Sequence, residues 1–439
     1  DMLYRKIEKE IKEHLENNTN TILIVEGARQ VGKSFIIRKV AQELFKNYIE
    51  INFAEDKFQS KTFEQVSSVQ DFYMKLSSVA GERMNEKNDT IIFLDEIQEY
   101  PQFLTLLKFL NQDNKFTFIA SGSLLGITLN KTTSIPLGSI LIKKMYPLDF
   151  EEFIIANGFG NYAIEAIRNK FLANESLDEG MHNRMMSLFK NYLLVGGMPQ
   201  AVNVFIATNN IMKVREVHTS IHELYGIDAA KYDKENRLKI QRIYSLIPSF
   251  LENKKKRVVI KDIEDIKGKR FDNYRDEFDY LIQAGVALEV KAISNPIFPL
   301  IESAAKNLLK LYFNDIGLLT NILYRNNIMA VLNEEKSVNL GSVYESVVAQ
   351  ELKAHNKNLF YYDNKNKGEV DYLIDDYDNL SVLPIEVKSG KDYYVHTALN
   401  HFVSNEDYRI NKAIVLSNER NVIVKDKIFY MPIYYSMFL

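Results

Sequence analysis

The sequence predicts an α/β protein whose amino-terminal part is a parallel sheet built around a phosphate-binding loop. Three observations lead there. Residues 27–34 read Gly-Ala-Arg-Gln-Val-Gly-Lys-Ser, a complete phosphate-binding loop. Apolar segments of strand length alternate with amphipathic helical segments from residue 1 to about residue 150. The same mixed pattern returns over residues 301–439, after a largely helical middle.

In chain order, residues 21–26 form a short apolar strand that runs into the glycine loop, and residues 35–45 an amphipathic helix. Residues 48–53 are a second strand and 71–79 lie in a helix. Residues 90–95, 116–121 and 140–145 supply three further strands. Strands joined by helices imply a parallel sheet covered on both faces. From Asp149 to about Tyr232 the pattern is helical, interrupted at Gly196-Gly197-Met198-Pro199, where the proline starts a new helix. Residues 240–247 form a helix that Pro248 ends or kinks. Residues 260–266 are a second short helix and 273–283 a third, followed by a strand at 286–290. A helix over 343–354 then precedes strands at 359–362, 369–374, 383–387 and 412–416, and residues 430–439 read as a final strand.

With 439 residues the chain is long enough for two or three domains. Hydrophobic residues make up 46% and charged residues 26%, which is globular rather than disordered composition. The net charge is −3, from 55 basic and 58 acidic residues, so a nucleic-acid surface has to be a local patch. The absence of cysteine excludes disulfides, thiolate metal sites and cysteine nucleophiles. Residues 4–16 are charged and helix-like, without the apolar core of a signal peptide, and no apolar run is long enough for a bilayer. The expectation is a cytoplasmic protein with no membrane contact.

A phosphate-binding loop needs small residues where its backbone wraps the phosphates, and a helix start aimed at them. Gly27 and Gly32 supply the open backbone, and Ala28, Arg29, Gln30, Val31 and Phe35 complete the nucleotide-contacting stretch. Lys33 would reach the β- and γ-phosphates of ATP, and the Ser34 hydroxyl would ligate magnesium. Thr90–Asp95 is an apolar strand ending in two carboxylates, Asp95 and Glu96. Asp95 at the strand end can hold the magnesium through water. Glu96 can act as the base for the attacking water. The strand at 116–121 ends in Ser121-Gly122-Ser123; a serine such as Ser123 there contacts the γ-phosphate or the water, or else only forms the turn.

The loop, the Leu-Asp-Glu-Ile-Gln run and the Ser-Gly-Ser strand end resemble AAA-type ATPases of a large bacterial and archaeal group. In that group the ATPase module is fused to a carboxy-terminal domain of unknown function with a nuclease-like core. Three further stretches match: Pro147-Leu148-Asp149-Phe150-Glu151-Glu152-Phe153, Gly196-Gly197-Met198-Pro199, and Lys310-Leu311-Tyr312-Phe313-Asn314-Asp315-Ile316-Gly317-Leu318-Leu319. The resemblance covers nearly the whole chain. It implies an ATPase domain with a helical lid, a winged helix and a restriction-endonuclease-like α/β domain, expected at residues 1–150, 151–233, 234–298 and 299–439. One feature departs from the group. Where it often has Gly-Arg before the last strand of the ATPase sheet, this chain has Gly138-Ser139, and residues 122–142 hold no arginine. If that arginine is a finger, the chain lacks one worth on the order of a thousandfold in rate.

A second constellation lies near the carboxy terminus. Glu345 is on a helix, Asp371 starts a strand, and Glu386 and Lys388 alternate along another, so they share a face. Asp371 and Glu386 can share a magnesium ion, with Glu345 completing its shell and Lys388 positioning or deprotonating a water. The order of these residues resembles the PD-(D/E)xK nuclease core. A basic run, Lys254-Lys255-Lys256-Arg257, is followed by Lys267, Lys269, Arg270 and Arg275. The third helix, with Arg270, Asn273, Tyr274 and Arg275 at its start, would face the major groove if the unit is a winged-helix DNA reader. Acidic neighbours dilute this patch, and winged helices also join proteins. The expected function is magnesium-dependent ATP hydrolysis in a DNA-associated machine, with self-association or a protein partner possible. The alternatives are an ATP-dependent DNA nuclease and a nucleotide-gated regulator whose nuclease fold is inert.

Overall fold

The computed structural model describes residues 2–17, 20–85, 89–131, 138–334, 340–390 and 392–439. These divide into two compact units. One holds Tyr4–Tyr146 together with Asp279–Gly285, the other Pro147–Phe278 and Val286–Leu439.

The first unit is built on a sheet of five strands among the described residues: β1 (Ile22–Glu26), β2 (Asn47–Asn52), β3 (Thr90–Asp95), β4 (Thr117–Gly122) and β5 (Ile140–Lys144). Their spatial order is β2-β3-β4-β1-β5, and every pairing is parallel. Every residue of β1 and β3 is buried. That is why both read as unbroken apolar runs, since helices cover both faces of a parallel sheet. Phe53, Phe72 and Phe103 pack on one face at ring separations of 4.5 Å (Phe53–Phe103) and 5.5 Å (Phe72–Phe103). Burying such a ring is worth about 1.5–3 kcal/mol. Registers Glu26↔Gly122, Leu94↔Ala120 and Asn52↔Asp95 bring the carboxyl ends of the central strands to one edge.

The second unit opens with helices Phe150–Ala156, Asn161–Leu172, Glu179–Val195, Pro199–Thr208 and Ile211–Tyr232. Asp149 and Glu152 form a reciprocal capping box on the first, and Pro199 occupies the first position of the fourth. The helix expected to end or kink at Pro248 instead spans Arg237–Glu252. Pro248 lies inside it, with Ser249–Glu252 still helical after it, and its missing N–H leaves the Tyr244 carbonyl without its usual helical partner.

Eight strands form the second sheet: β6 (Ala287–Ile293), β7 (Ala304–Phe313), β8 (Phe360–Asn364), β9 (Gly368–Asp376), β10 (Ser381–Val387), β11 (Ala413–Ser417), β12 (Ile423–Lys425) and β13 (Ile428–Pro432). Their order is β12-β13-β11-β10-β9-β8-β6-β7. β8, β9 and β10 run antiparallel in turn, and β10 pairs parallel with β11 after a crossover through helix Thr397–Ser404. The ribbon that follows the helical middle, β6 with β7, is part of this sheet through parallel pairing of β6 with β8. The expected boundary at 298/299 falls inside that hairpin. The final strand expected over 430–439 ends at Pro432, and Ile433–Phe438 is a buried 3-10 helix instead. Proline has no N–H to continue the ladder.

Candidate nucleotide and metal sites

The loop between β1 and helix Lys33–Leu44 has the backbone that phosphate wrapping needs. Gly32 has φ 99° and Gln30 φ 73°, and a Cβ on Gly27 would lie 2.4 Å from the Met145 carbonyl oxygen. Ala28 and Val31 are buried beneath the loop, while Gln30 and Phe35 are exposed and Arg29 is half-buried. Lys33 Nζ donates to the carbonyls of Gly27 at 2.5 Å and Ala28 at 3.0 Å. Burial lowers the pKa of this ammonium, and Glu96 and Asp95 oppose that shift.

Asp95 is the meeting point of three segments. It accepts from the Ser34 hydroxyl at 2.9 Å through Oδ2 and from the Ser121 hydroxyl at 2.5 Å through Oδ1. Burial raises its pKa, and the two serine hydrogen bonds pull it back. Glu96 leaves the strand in a left-handed conformation, φ 57° and ψ 50°. Its Oε2 accepts from Gln98 Nε2 at 2.6 Å, and Gln98 Oε1 accepts from the Ser123 N–H at 3.2 Å. The hydroxyl that reaches Asp95 is therefore that of Ser121, whereas Ser123 joins through its main chain. Ser139 is buried, and its carbonyl accepts from the Ile22 N–H at 2.8 Å.

Sequence reasoning passed over four residues here. Arg5 is buried and donates to the Val31 carbonyl at 2.8 Å and to the Tyr146 carbonyl, bracing the loop from behind. Glu26 pairs with Lys144 at 2.5 Å and accepts from the Leu125 N–H at 2.9 Å. Gln98 links Glu96 to Ser123. Gly285, with φ 75°, sits so close that a Cβ would lie 3.1 Å from the Ala28 nitrogen. Of these, only Gln98 carried a local signal, two positions after Glu96.

In the carboxy-terminal unit, helix Leu340–Ala354, β9 and β10 place Glu345, Asp371 and Glu386 in one neighbourhood, while Lys388, expected within the strand beside Glu386, lies one residue past the end of β10. The Asp371 N–H donates to Glu386 Oε1 at 3.0 Å, and the Val387 N–H donates to Asp371 Oδ2 at 2.8 Å. Lys388 Nζ lies 3.8 Å from Glu386 Oε2. Burial and then the Asp371 charge push Glu345 up to about 7, against the pull of Lys256 and Lys310. The same two causes raise Glu386. Glu345, Asp371 and Glu386 do not all come within 4.8 Å of one another. Among the described residues the tight group of this kind is Asp149, Glu351 and His355.

Three residues of the basic patch are paired with acids. Lys256 Nζ pairs with Glu345 Oε1 at 3.0 Å, Arg257 with Asp363 at 3.3 Å, and Arg275 with Asp272 at 2.7 Å. Asn273 accepts from the Arg270 N–H, and Tyr274 is buried. Neither Lys256 nor Lys310 was expected beside the carboxylates.

Three family models match the chain. Residues 19–154 match one described as an AAA domain, residues 186–328 a domain of unknown function (DUF8612), and residues 340–435 another domain of unknown function (DUF4143). No curated protein matches. Among solved structures, the Walker-type ATPase PABY2304 of Pyrococcus abyssi is similar at 16% identity and a TM-score of 0.44, over 73% of this chain and 95% of that one. C. elegans PCH-2 is similar at 14% identity and a TM-score of 0.22, over 39% and 47% of the two chains. The Pif1 helicase of Candida albicans is similar at 12% identity and 0.24, over 36% and 43%. The residues that match the AAA-domain model, 19–154, include both the loop and the strand-end carboxylate joined to it by the Ser34–Asp95 hydrogen bond.

Proposed function

We propose that the chain is a magnesium-dependent ATPase that hydrolyses ATP at the loop of residues 27–34. The observation that carries this reading is Asp95 held between the hydroxyls of Ser34 and Ser121. A hydroxyl and a carboxylate are an all-oxygen donor set, which suits a hard cation such as magnesium. Ser34 and Asp95 would hold that ion, which when bound neutralises charge on the phosphates. Lys33 and the loop amides bind the β- and γ-phosphates. Glu96, oriented by Gln98, takes the proton of the attacking water. Calorimetry with a non-hydrolysable ATP analogue and magnesium tests the site. Binding should be lost in Lys33→Ala, and equal affinity in that variant would overturn the assignment.

We further propose that the carboxy-terminal unit is a nuclease-like domain with DNA as its partner, its metal held by Asp371, Glu386 and Glu345. The antiparallel run β8-β9-β10, the crossover helix and the parallel β11 support the PD-(D/E)xK reading, with Asp371 and Glu386 on neighbouring strands. Plasmid nicking that needs magnesium or manganese and disappears in Asp371→Ala is the expected result. Nicking unchanged in that variant would point to a contaminant. Metal binding without nicking would favour the nucleotide-gated regulator.

A further inference from the structure

Lys256 is brought to the carboxylate cluster by a segment far from it in sequence. Its backbone is left-handed, with φ 54°, and its N–H bonds the Asn253 carbonyl at 3.0 Å. Two residues on, the Val258 N–H bonds the Leu309 carbonyl at 3.0 Å, fixing the segment to β7. Arg257 adds an ion pair to Asp363 on β8 at 3.3 Å. Lys256 Nζ is thereby delivered to Glu345 Oε1 at 3.0 Å, with only 22% of the lysine side chain and 7% of the glutamate exposed. The other oxygen of Glu345, Oε2, is buried and has no hydrogen-bond partner.

Glu345, Asp371 and Glu386 supply three carboxylates. Lys256, Lys388 and Lys310 supply three ammonium groups that act on them. Lys310 is pinned on β7, buried, with Nζ 4.3 Å from the centre of the Tyr361 ring. Lys388 follows the last residue of β10, with its N–H bonded to the Leu416 carbonyl at 2.8 Å and its Nζ 3.8 Å from Glu386 Oε2. Lys256 is the one whose ammonium is bonded to Glu345, at 3.0 Å. Adding a divalent ion beside these ammonium groups would bring further positive charge into a buried site, which is costly in a low-dielectric interior. The lysine in direct competition with a cation for Glu345 is therefore Lys256.

We propose that Lys256 is a built-in competitor for the metal of the carboxy-terminal site: its ammonium holds Glu345, and a divalent cation binds Glu345, Asp371 and Glu386 only when Lys256 withdraws. The inference rests on the metal-site reading of these carboxylates. It adds a lock on loading that the chain itself provides, worked from the basic run beside the site.

Manganese binding to the full chain without nucleotide tests it, read by electron paramagnetic resonance and calorimetry. The binding lost in Asp371→Ala is taken as that of this site. Lys256→Gln should bind manganese at least about tenfold more tightly than the parent, because a neighbouring positive charge disfavours a cation as it disfavours a proton. Lys256→Arg should stay near the parent affinity, and adding Glu345→Gln to Lys256→Gln should remove the gain. Urea unfolding followed by circular dichroism checks that each variant is folded, and Lys256→Ala serves if Lys256→Gln is not. Asp371-dependent binding of equal strength in the parent and in Lys256→Gln overturns the lock and leaves the metal site standing. No Asp371-dependent binding in any variant overturns both.

Discussion

Asp371 and Glu386 each cap the strand of the other. The Asp371 N–H donates to the Glu386 carboxylate at 3.0 Å, and the N–H of Val387, next to Glu386, donates to the Asp371 carboxylate at 2.8 Å. The β9–β10 ladder ends one step earlier, at Ile385↔Tyr372. The strands part at this position, and side-chain bonds replace main-chain ones. Two acids therefore sit together at a fork in the sheet, each satisfying an N–H that the missing ladder would leave open.

That double role separates two substitutions of Asp371. Asp371→Ala leaves the Val387 N–H without its acceptor and should cost roughly 1–3 kcal/mol. Asp371→Asn keeps an acceptor and removes the negative charge that raises Glu345 and Glu386, so it should cost little or even stabilise. Both should abolish metal-dependent nicking. Urea unfolding at neutral pH measures the first difference, and an Ala variant as stable as the parent would remove the capping argument.

At the amino-terminal site, Glu96→Gln should bind ATP normally and lose about a hundredfold or more in turnover, because it keeps the shape and removes the base. Gln98→Ala should lower kcat by about tenfold with little change in KM, since Gln98 touches Glu96 and the Ser123 amide rather than the loop. A Gln98→Ala enzyme with parental kcat would reduce Gln98 to a turn residue.

The nucleotide site was legible because its parts are local. The loop is eight consecutive residues, and Asp95-Glu96 ends an apolar strand whose partner strands share its pattern. What escaped was reach across the chain. Arg5 braces a loop carbonyl 26 residues away, and Lys256 meets Glu345 across 89 residues; neither has a spacing that sequence periodicity can read. Ser121 and Ser123 could not be ranked because residues i and i+2 of a strand share a face; what separates them is that β4 ends at Gly122, so Ser123 has left the strand. Pro248 does not end its helix because the residues after it, Phe250 and Leu251, are buried, and that burial outweighs the hydrogen bond the proline removes.

His355 sits between two buried acids. Its Nε2 is 3.3 Å from Glu351 and 3.6 Å from Asp149. Burial works against its charge, but the two carboxylates outweigh it and push the imidazole up to about 9. A folded value above the ordinary 6.5 means the protonated form favours folding. The contribution is complete below about pH 6.5 and is lost as pH rises toward 9, roughly 1–3 kcal/mol in all. His355→Gln should flatten the stability profile over that window. A parent whose urea midpoint does not fall between pH 6.5 and 9 would show that the pair does not hold the proton.

Asp315 explains why two distant motifs occur in one chain. It is fully buried, caps helix Ile316–Tyr324 through the Leu318 N–H at 3.2 Å, and accepts from the Gly197 N–H at 2.7 Å and Gln350 Nε2 at 3.3 Å. Gly196, with φ 74°, passes so close that a Cβ would lie 2.2 Å from Asp315 Oδ2. Burial pushes the carboxyl up to about 6 while these hydrogen bonds pull it down. A raised acid favours the protonated folded state, so this group's contribution falls as pH rises from about 4 to 6 and is level above. Asp315→Ala should cost roughly 3–5 kcal/mol, because it strands two buried amides and removes a helix cap. Gly196→Ala should also be strongly destabilising in the parent, through the clash and the positive φ. In the Asp315→Ala background only the backbone strain remains, so the same change should cost less by about 1 kcal/mol or more. Urea unfolding of the two single variants and the double variant at pH 7 closes the cycle. Strictly additive losses would mean that Gly196 is required by its own backbone and not by Asp315.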